Sequence, residues 1–216
     1  ALQASGWKRS KPGKNCGRGL ALYERGTPSG RASAAITVEE DGGITILTGV
    51  PDVGPGFYTV IQQIVSETLG IGPEKVGVRF EDTDSLPYDP GTGGSKSTNT
   101  SGHAAYKAAR EVREMLVGVA ARTLGCKAEE VGQANGRFTA PRSKGVSFDQ
   151  IARTAVRENG GPIFHLTMYE PKEEPPVTSF AAQVAEVEVN PETGEVKVKK
   201  ITTAHDSGVV LNTNTF

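Results

Sequence analysis

Two hydrophobic periods alternate along this chain. Arg18 to Tyr23 and Arg31 to Val38 are apolar, β-prone runs, and Glu39-Glu40-Asp41-Gly42-Gly43 makes a turn before a third run, Ile44 to Leu47. Three successive antiparallel strands are the economical expectation. The period then changes. Val60, Ile61, Ile64, Val65 and Leu69 fall at helical spacing, with Gln62, Gln63 and Glu67 off the stripe and Gly70 placed to stop it. From Lys75 to Glu81 alternation returns, with Val76, Val78 and Phe80 on one face, and Asp82 to Thr100 then shows no apolar period. A second helix of about five to six turns is predicted from near Ser101 to near Gly125. Its stripe is Ala104, Ala105, Ala108, Ala109, Val112, Met115, Leu116, Val119 and Ala120, small enough to pack closely on a sheet.

The remainder is punctuated differently. Lys127 to Gly132 suits a short turn or a helix start, Arg137 to Ala140 a short strand, and Ser147 to Arg157 a helix capped by Ser147. Lys172 to Pro176, with two glutamates and two prolines, reads as a surface loop. The clearest hairpin comes last: Ala185, Val187 and Val189 alternate with Glu186 and Glu188, Asn190 to Gly194 turns, and Val196, Val198 and Ile201 return. Hairpins at both ends and few crossover helices imply an α+β fold, with mixed or antiparallel sheet layers and helices packed on one face. Residues 1–17, anchored only by Trp7, read as a linker. Residues 18–216 read as a domain whose two subdomains meet near 125–180.

Composition narrows the class. The 216 residues include 27 glycines and 13 prolines, so glycine is nearly twice its usual share of about 7% while proline is ordinary. Many tight turns and backbone-built sites follow. A net charge of -1, with 36% hydrophobic and 23% charged residues, excludes collagen, a disordered polyampholyte and a basic nucleic-acid binder. No window holds the roughly 20 apolar residues of a membrane span, and Ala1 to Gly17 lacks a signal-peptide core, so a cytoplasmic location is expected. Cys16 and Cys126, and His103, His165 and His205, lack metal-ligand spacing. The chain has no initiator Met and stops at Phe216 just beyond a strand, so a piece of something larger is expected.

Two glycine-rich turns run straight into predicted helices: Asp52-Val53-Gly54-Pro55-Gly56, and Pro90-Gly91-Thr92-Gly93-Gly94-Ser95-Lys96-Ser97. Unpaired N–H groups at a helix start, together with the positive end of its dipole, make such turns natural anion sites. Hydroxyls at Thr92, Ser95, Ser97 and Thr98 add donors. The plain alternatives are ordinary turns, with Ser101 as an N-cap. Neither turn matches GxxxxGK[ST] or GxGxxG. Glu81, Asp82 and Asp84 suit a solvated strand edge better than acid–base work, and His205-Asp206 lacks a nucleophile.

The order of these pieces resembles the molybdopterin-binding region of the xanthine dehydrogenase and aldehyde oxidase family. The resemblance runs through Gly17-Arg18-Gly19-Leu20-Ala21, Thr48-Gly49, Gly54-Pro55-Gly56, Leu69-Gly70-Ile71, Asp82-Thr83, Gly91 to Ser97, Gly102-His103-Ala104-Ala105, Val187 to Val196 and Asp206 to Asn212. It implies a molybdenum–molybdopterin cofactor, in bacteria often extended as the cytosine dinucleotide, in a subunit that hydroxylates aldehydes or heteroaromatics with water-derived oxygen. It also implies partners: the rest of the molybdenum subunit, iron–sulfur and FAD subunits or domains, and a small-molecule substrate. By resemblance, Thr92, Gly93, Gly94, Ser95 and Ser97 wrap the pterin and phosphate groups, and Gly54, Pro55 and Gly56 lie near the molybdenum end. Typical members have Gly-Gln-Gly at that second turn. Pro55 replaces the glutamine and has neither its amide nor a backbone N–H. The family's catalytic glutamate is expected beyond Asn212, so no catalytic residue and no metal ligand is assigned. Two other readings stay open: a non-catalytic scaffold with a decayed site, and an independent phosphate-binding domain.

Overall fold

The computed structural model describes residues 1–9, 12–80, 84, 88–171 and 177–210. In chain order the elements are α1 (Leu2–Ser5), β1 (Cys16–Thr27), β2 (Ala32–Val38), β3 (Ile44–Leu47), α2 (Phe57–Thr68), β4 (Val76–Arg79) and α3 (Ser97–Leu124). There follow β5 (Gly132–Ala134), β6 (Arg137–Thr139), β7 (Val146–Ser147), α4 (Phe148–Asn159), β8 (Ile163–Tyr169), β9 (Val177–Val189) and β10 (Val196–Asp206). The chain divides into two units, Pro28–Glu174 and the two terminal segments Ala1–Thr27 with Pro175–Phe216.

In the central unit a four-stranded sheet has the order β4-β3-β2-β8, with β3 and β4 parallel and the other pairs antiparallel. Register aligns its apolar face: Ile36 sits beside Ile46, Val38 beside Ile44, and Ile44 beside Val76. The helices cover that face. Phe57, Ile61 and Val65 of α2 and Ala104, Ala108, Val112 and Leu116 of α3 are buried in the same core as Ile36 and Ile46. Each fully buried aliphatic side chain contributes about 1.5–3 kcal/mol relative to exposure. Phe148 and Ile151 bring α4 into this core, and Phe148 stacks on Phe138 of the small β5-β6-β7 sheet at 6.0 Å. Ser147 caps α4 as expected, accepting from the Gln150 N–H while Gln150 Oε1 accepts from the Ser147 N–H.

The second unit is a separate three-stranded antiparallel sheet, order β1-β9-β10. β1 pairs with β9 along twelve residues, from Cys16↔Glu188 to Thr27↔Val177, and β10 returns along β9 with a bulge between Val198 and Lys200. The predicted turn at Asn190 to Gly194 closes the hairpin, Asn190 Oδ1 accepting from the N–H groups of Glu192 and Thr193.

Three expectations are corrected. The first strand is not part of a meander with β2 and β3: it belongs to the other sheet, and the second neighbour of β2 is β8. β9, with 13 residues, matches the 12 of β1, whereas β2 has only seven. The long helix starts at Ser97 rather than near Ser101 and has 28 residues, about 42 Å. Ser101 is therefore inside the helix, where its hydroxyl donates to Asp89 and caps nothing. Met115, placed on the buried stripe, is 40% exposed. In the segment read as a linker, α1 covers Leu2–Ser5 and β1 begins at Cys16. The expected loop at Lys172 to Pro176 and the motif residues Asp82, Thr83, Leu211 and Asn212 lie outside the described residues, as does Glu81.

Candidate cofactor site

Topology brings the two glycine-rich turns to one edge of the central sheet. The turn at 52–56 follows β3 and the turn at 90–97 follows β4, and these two strands run parallel, joined at their ends by the Thr48 N–H donating to the Arg79 carbonyl at 3.2 Å. The helices that begin there run back along the strands. On α2, Gln62 Nε2 reaches the Val76 carbonyl at the start of β4 at 2.7 Å. On α3, His103 stacks on Tyr169 at 4.9 Å, and two turns further on Glu111 meets His165 at 2.8 Å, so α3 is antiparallel to β8. The Ser33 N–H and hydroxyl both donate to the Tyr88 carbonyl, at 2.8 and 2.6 Å, and fix the second turn to the start of β2. Ligands of open α/β sheets gather at such an edge, beyond the carboxyl ends of parallel strands.

The helix starts at this edge are built differently from that of α4. α4 has a capping box and an acidic residue, Asp149, in its first turn. α2 begins behind Gly56 and α3 behind Lys96, with no side-chain cap and no acidic residue in the first turn of either. Their first N–H groups and the positive dipole ends are thus left without the usual internal partners. In the second turn Lys96 N–H donates to Gly93 O at 3.2 Å. Among the described residues the N–H groups of Thr92, Gly93, Gly94, Ser95 and Ser97 have no acceptor, and the hydroxyls of Thr92, Ser95, Ser97 and Thr98 make no hydrogen bond. Thr92, Gly93 and Ser95 are exposed, and Gly94 and Ser97 half-buried. Ser95 is held at a φ of 62°, a conformation that costs a non-glycine residue about 1–2 kcal/mol. This donor set fits a phosphate-bearing ligand.

The first turn fits less well. Gly54 (φ 105°) and Gly56 (φ 76°) supply the left-handed conformations on either side of Pro55, with open space where a Cβ would stand. The Gly54 N–H is already taken by Asp52 Oδ1 at 3.0 Å, and Pro55 has none to give. Donors remain on Val53, Gly56 and the first turn of α2. Gly94 has a different constraint: at φ 61° an added Cβ would lie 3.0 Å from Pro28 Cγ, so its lack of a side chain is required internally.

Other candidates are not assembled into sites. His205 and Asp206 are consecutive residues of β10; Asp206 Oδ1 accepts from the Gly208 N–H at 3.2 Å. Both line an open groove of about 650 Å³ with Leu22, Phe180, Ala182 and Ala204. Cys16 and Cys126 are free, and no group of three or more His, Cys, Asp or Glu converges among the described residues. The motifs did not reveal the cluster of Lys107, Glu111 and His165. Burial pushes the Glu111 carboxyl up, but hydrogen bonds from His165 and Thr167 and the charge of Lys107 outweigh it, and the net shift is downward. Lys107 Nζ also donates to the Met168 carbonyl at 2.8 Å, so the cluster fastens α3 to β8. No helix among the described residues is long and apolar enough to cross a membrane.

An α+β layer with two open helix starts at one sheet edge is an arrangement whose backbone suits an anionic ligand. Residues 2–216 match the molybdopterin cofactor-binding domain, and the chain belongs to that family. It is 29% identical over 218 residues to the aldehyde oxidoreductase molybdenum-binding subunit PaoC of Escherichia coli K12, a match covering 97% of this chain and 29% of that protein. It is 32% identical over 213 residues to the probable hypoxanthine oxidase XdhD of the same organism, covering 95% and 22%. The chain thus spans less than a third of the length of these relatives. The fold is shared with the Cu,Mo-CO dehydrogenase (TM-score 0.75, 23% identity, 96% of this chain and 28% of that one). It is also shared with quinoline 2-oxidoreductase of Pseudomonas putida 86 (TM-score 0.74, 21% identity, 95% and 28%).

Proposed function

We propose that this chain forms part of the molybdenum–molybdopterin cradle in the molybdenum-binding subunit of a hydroxylase or dehydrogenase. The observation that carries the reading is the run of unengaged N–H and hydroxyl groups from Thr92 to Ser97 at the uncapped start of α3. Thr92, Gly93, Gly94, Ser95 and Ser97 hold the phosphate and pterin groups of the cofactor, which is the cytosine dinucleotide form in this reading. Gly54, Pro55 and Gly56 border its other end, where Pro55 leaves one donor fewer. When bound, the cofactor supplies the redox centre at which an aldehyde or heteroaromatic substrate is hydroxylated with oxygen from water. This chain's own contribution is to bind and orient that group, and acid–base chemistry comes from elsewhere in the parent subunit. Iron–sulfur and FAD partners take the electrons. One relative, 28% identical over 206 residues, is named as subunit gamma of the 6-hydroxypseudooxynicotine dehydrogenase complex, which supports a multi-subunit setting.

The test is metal and pterin analysis of the full-length protein purified from its source: molybdenum by mass spectrometry and pterin by fluorescence after oxidation. Near-stoichiometric amounts of both are expected, and absence of both defeats the proposal. Gly93→Val is the informative loop variant, because Gly93 has open space around a would-be Cβ and no left-handed φ. It should lower cofactor content severalfold without unfolding the protein, whereas a substitution at Gly94 would collide with Pro28. Pro55 favours a second reading, a scaffold whose cofactor site has decayed. That reading predicts a folded full-length protein without molybdenum.

A further inference from the structure

A cation at the N-terminus of a helix is in the wrong place electrostatically, because the dipole already puts about half a positive charge there. Lys96 is in that position. It is the residue immediately before α3, half-buried, and its ammonium group leans back over the turn to the Pro90 carbonyl at 3.4 Å. No carboxylate lies within ion-pair distance of it among the described residues. The nearest acidic residue in this turn, Asp89, is engaged with the Ser101 hydroxyl and the Gly91 N–H. The first turn of α3 has no acidic side chain to offset either charge. Two like charges therefore meet without compensation from the described residues, beside five N–H groups that lack acceptors. A local rule broken with no internal gain is characteristic of a functional site.

We propose that Lys96 is the counter-charge for the cofactor's phosphate, a binding residue added to the backbone donors of Thr92 to Ser97; this rests on the cradle reading above. In the bound state the ammonium group leaves the single long contact to Pro90 and pairs with a phosphate oxygen. The backbone N–H groups fix the phosphate's position, and Lys96 supplies the neutralising charge that they lack. A lysine acts here as a point charge on a flexible stem, so arginine at the same place should serve almost as well.

The experiment uses the full-length protein from its source, as wild type, Lys96→Gln and Lys96→Arg. Molybdenum and pterin per subunit are measured after purification and again after washing at increasing salt concentration, with thermal denaturation as the folding control. Lys96→Gln should melt at or slightly above the wild-type temperature in the cofactor-free protein, because the charge facing the helix dipole is gone, yet lose at least half of its cofactor and release the rest at lower salt. Lys96→Arg should behave like wild type. Equal content and an equal salt-release curve for Lys96→Gln would overturn the role of Lys96 while leaving the cradle intact. Wild-type protein without molybdenum or pterin would overturn the cradle, and this inference with it.

Discussion

From Pro28 to Glu174 the chain buries Ile36, Ile46, Ile61, Leu69, Leu116, Phe138, Phe148 and Ile151 in one continuous core between a sheet and its helices. The unit made from the two terminal segments has strands twice as long, yet Val184 is its one buried hydrophobic residue among those described. Leu22 is 78% exposed, Ile201 60% and Phe180 50%, on a sheet with no helix layer of its own. Backbone pairing holds this second sheet together, with cross-strand ion pairs such as Arg18–Glu186 and Lys199–Glu188. A long ladder can therefore be complete in hydrogen bonds and still lack the apolar burial that makes a sheet independently stable.

Paired truncations give the largest test of this contrast. Ile46→Ala in the central core should cost about 2–5 kcal/mol, whereas Ile201→Ala in the 216-residue chain should change stability by no more than about 0.5 kcal/mol. Chemical denaturation of both variants checks it, and a large loss from Ile201→Ala would mean that the second sheet has a core of its own. Next in size is the cap of α4. Ser147→Ala should destabilise the central unit by about 1 kcal/mol, because the Gln150 N–H loses its acceptor and the entry angle into the Phe138–Phe148 stack depends on the cap. The smallest effect separates two ion pairs. The Glu111 carboxyl is held below its ordinary range, so its contact with His165 and Lys107 stabilises the fold above that range, and the gain is lost as pH falls through the depressed value. A Glu111→Gln variant should therefore lose most relative to wild type near neutral pH and converge with it in acid. Glu188, likewise lowered, by the hydrogen bond and charge of Lys199, lies fully exposed on the second sheet, and its contribution should vanish first in high salt.

The sequence was legible where one period dominated. The stripe of α2, the hairpin at Asn190 to Gly194 and the cap at Ser147 all rest on local patterns, and the local patterns agree with the packing. The edge proposed to hold the cofactor was legible as two glycine-rich helix starts, but their meeting at one edge depends on the parallel pairing of β3 with β4, which no local pattern encodes. β8 was missed for a physical reason. Its apolar residues Phe164, Leu166 and Met168 alternate properly but face outward, while His165 and Thr167 take the side toward α3, so the usual rule for the inner face is inverted. The β5-β6 hairpin did carry a readable signal, Asn135-Gly136, both at positive φ as a tight two-residue turn demands. The partner of β1 lay beyond local reading, since it is set by the match of two long ladders far apart in sequence.

That separation orders events during synthesis. The nearest paired residues of β1 and β9, Thr27 and Val177, are 150 positions apart. At about 5–20 residues per second a ribosome needs roughly 8–30 s to bridge them, far longer than a small α/β layer takes to collapse. The intervening unit can thus fold first, while β1 waits as a solitary extended segment with unsatisfied edges. A chaperone that shields such segments is the natural companion of this stage, and a nascent chain released from the ribosome only as far as about residue 170 should leave β1 open to proteases while the central core is already protected.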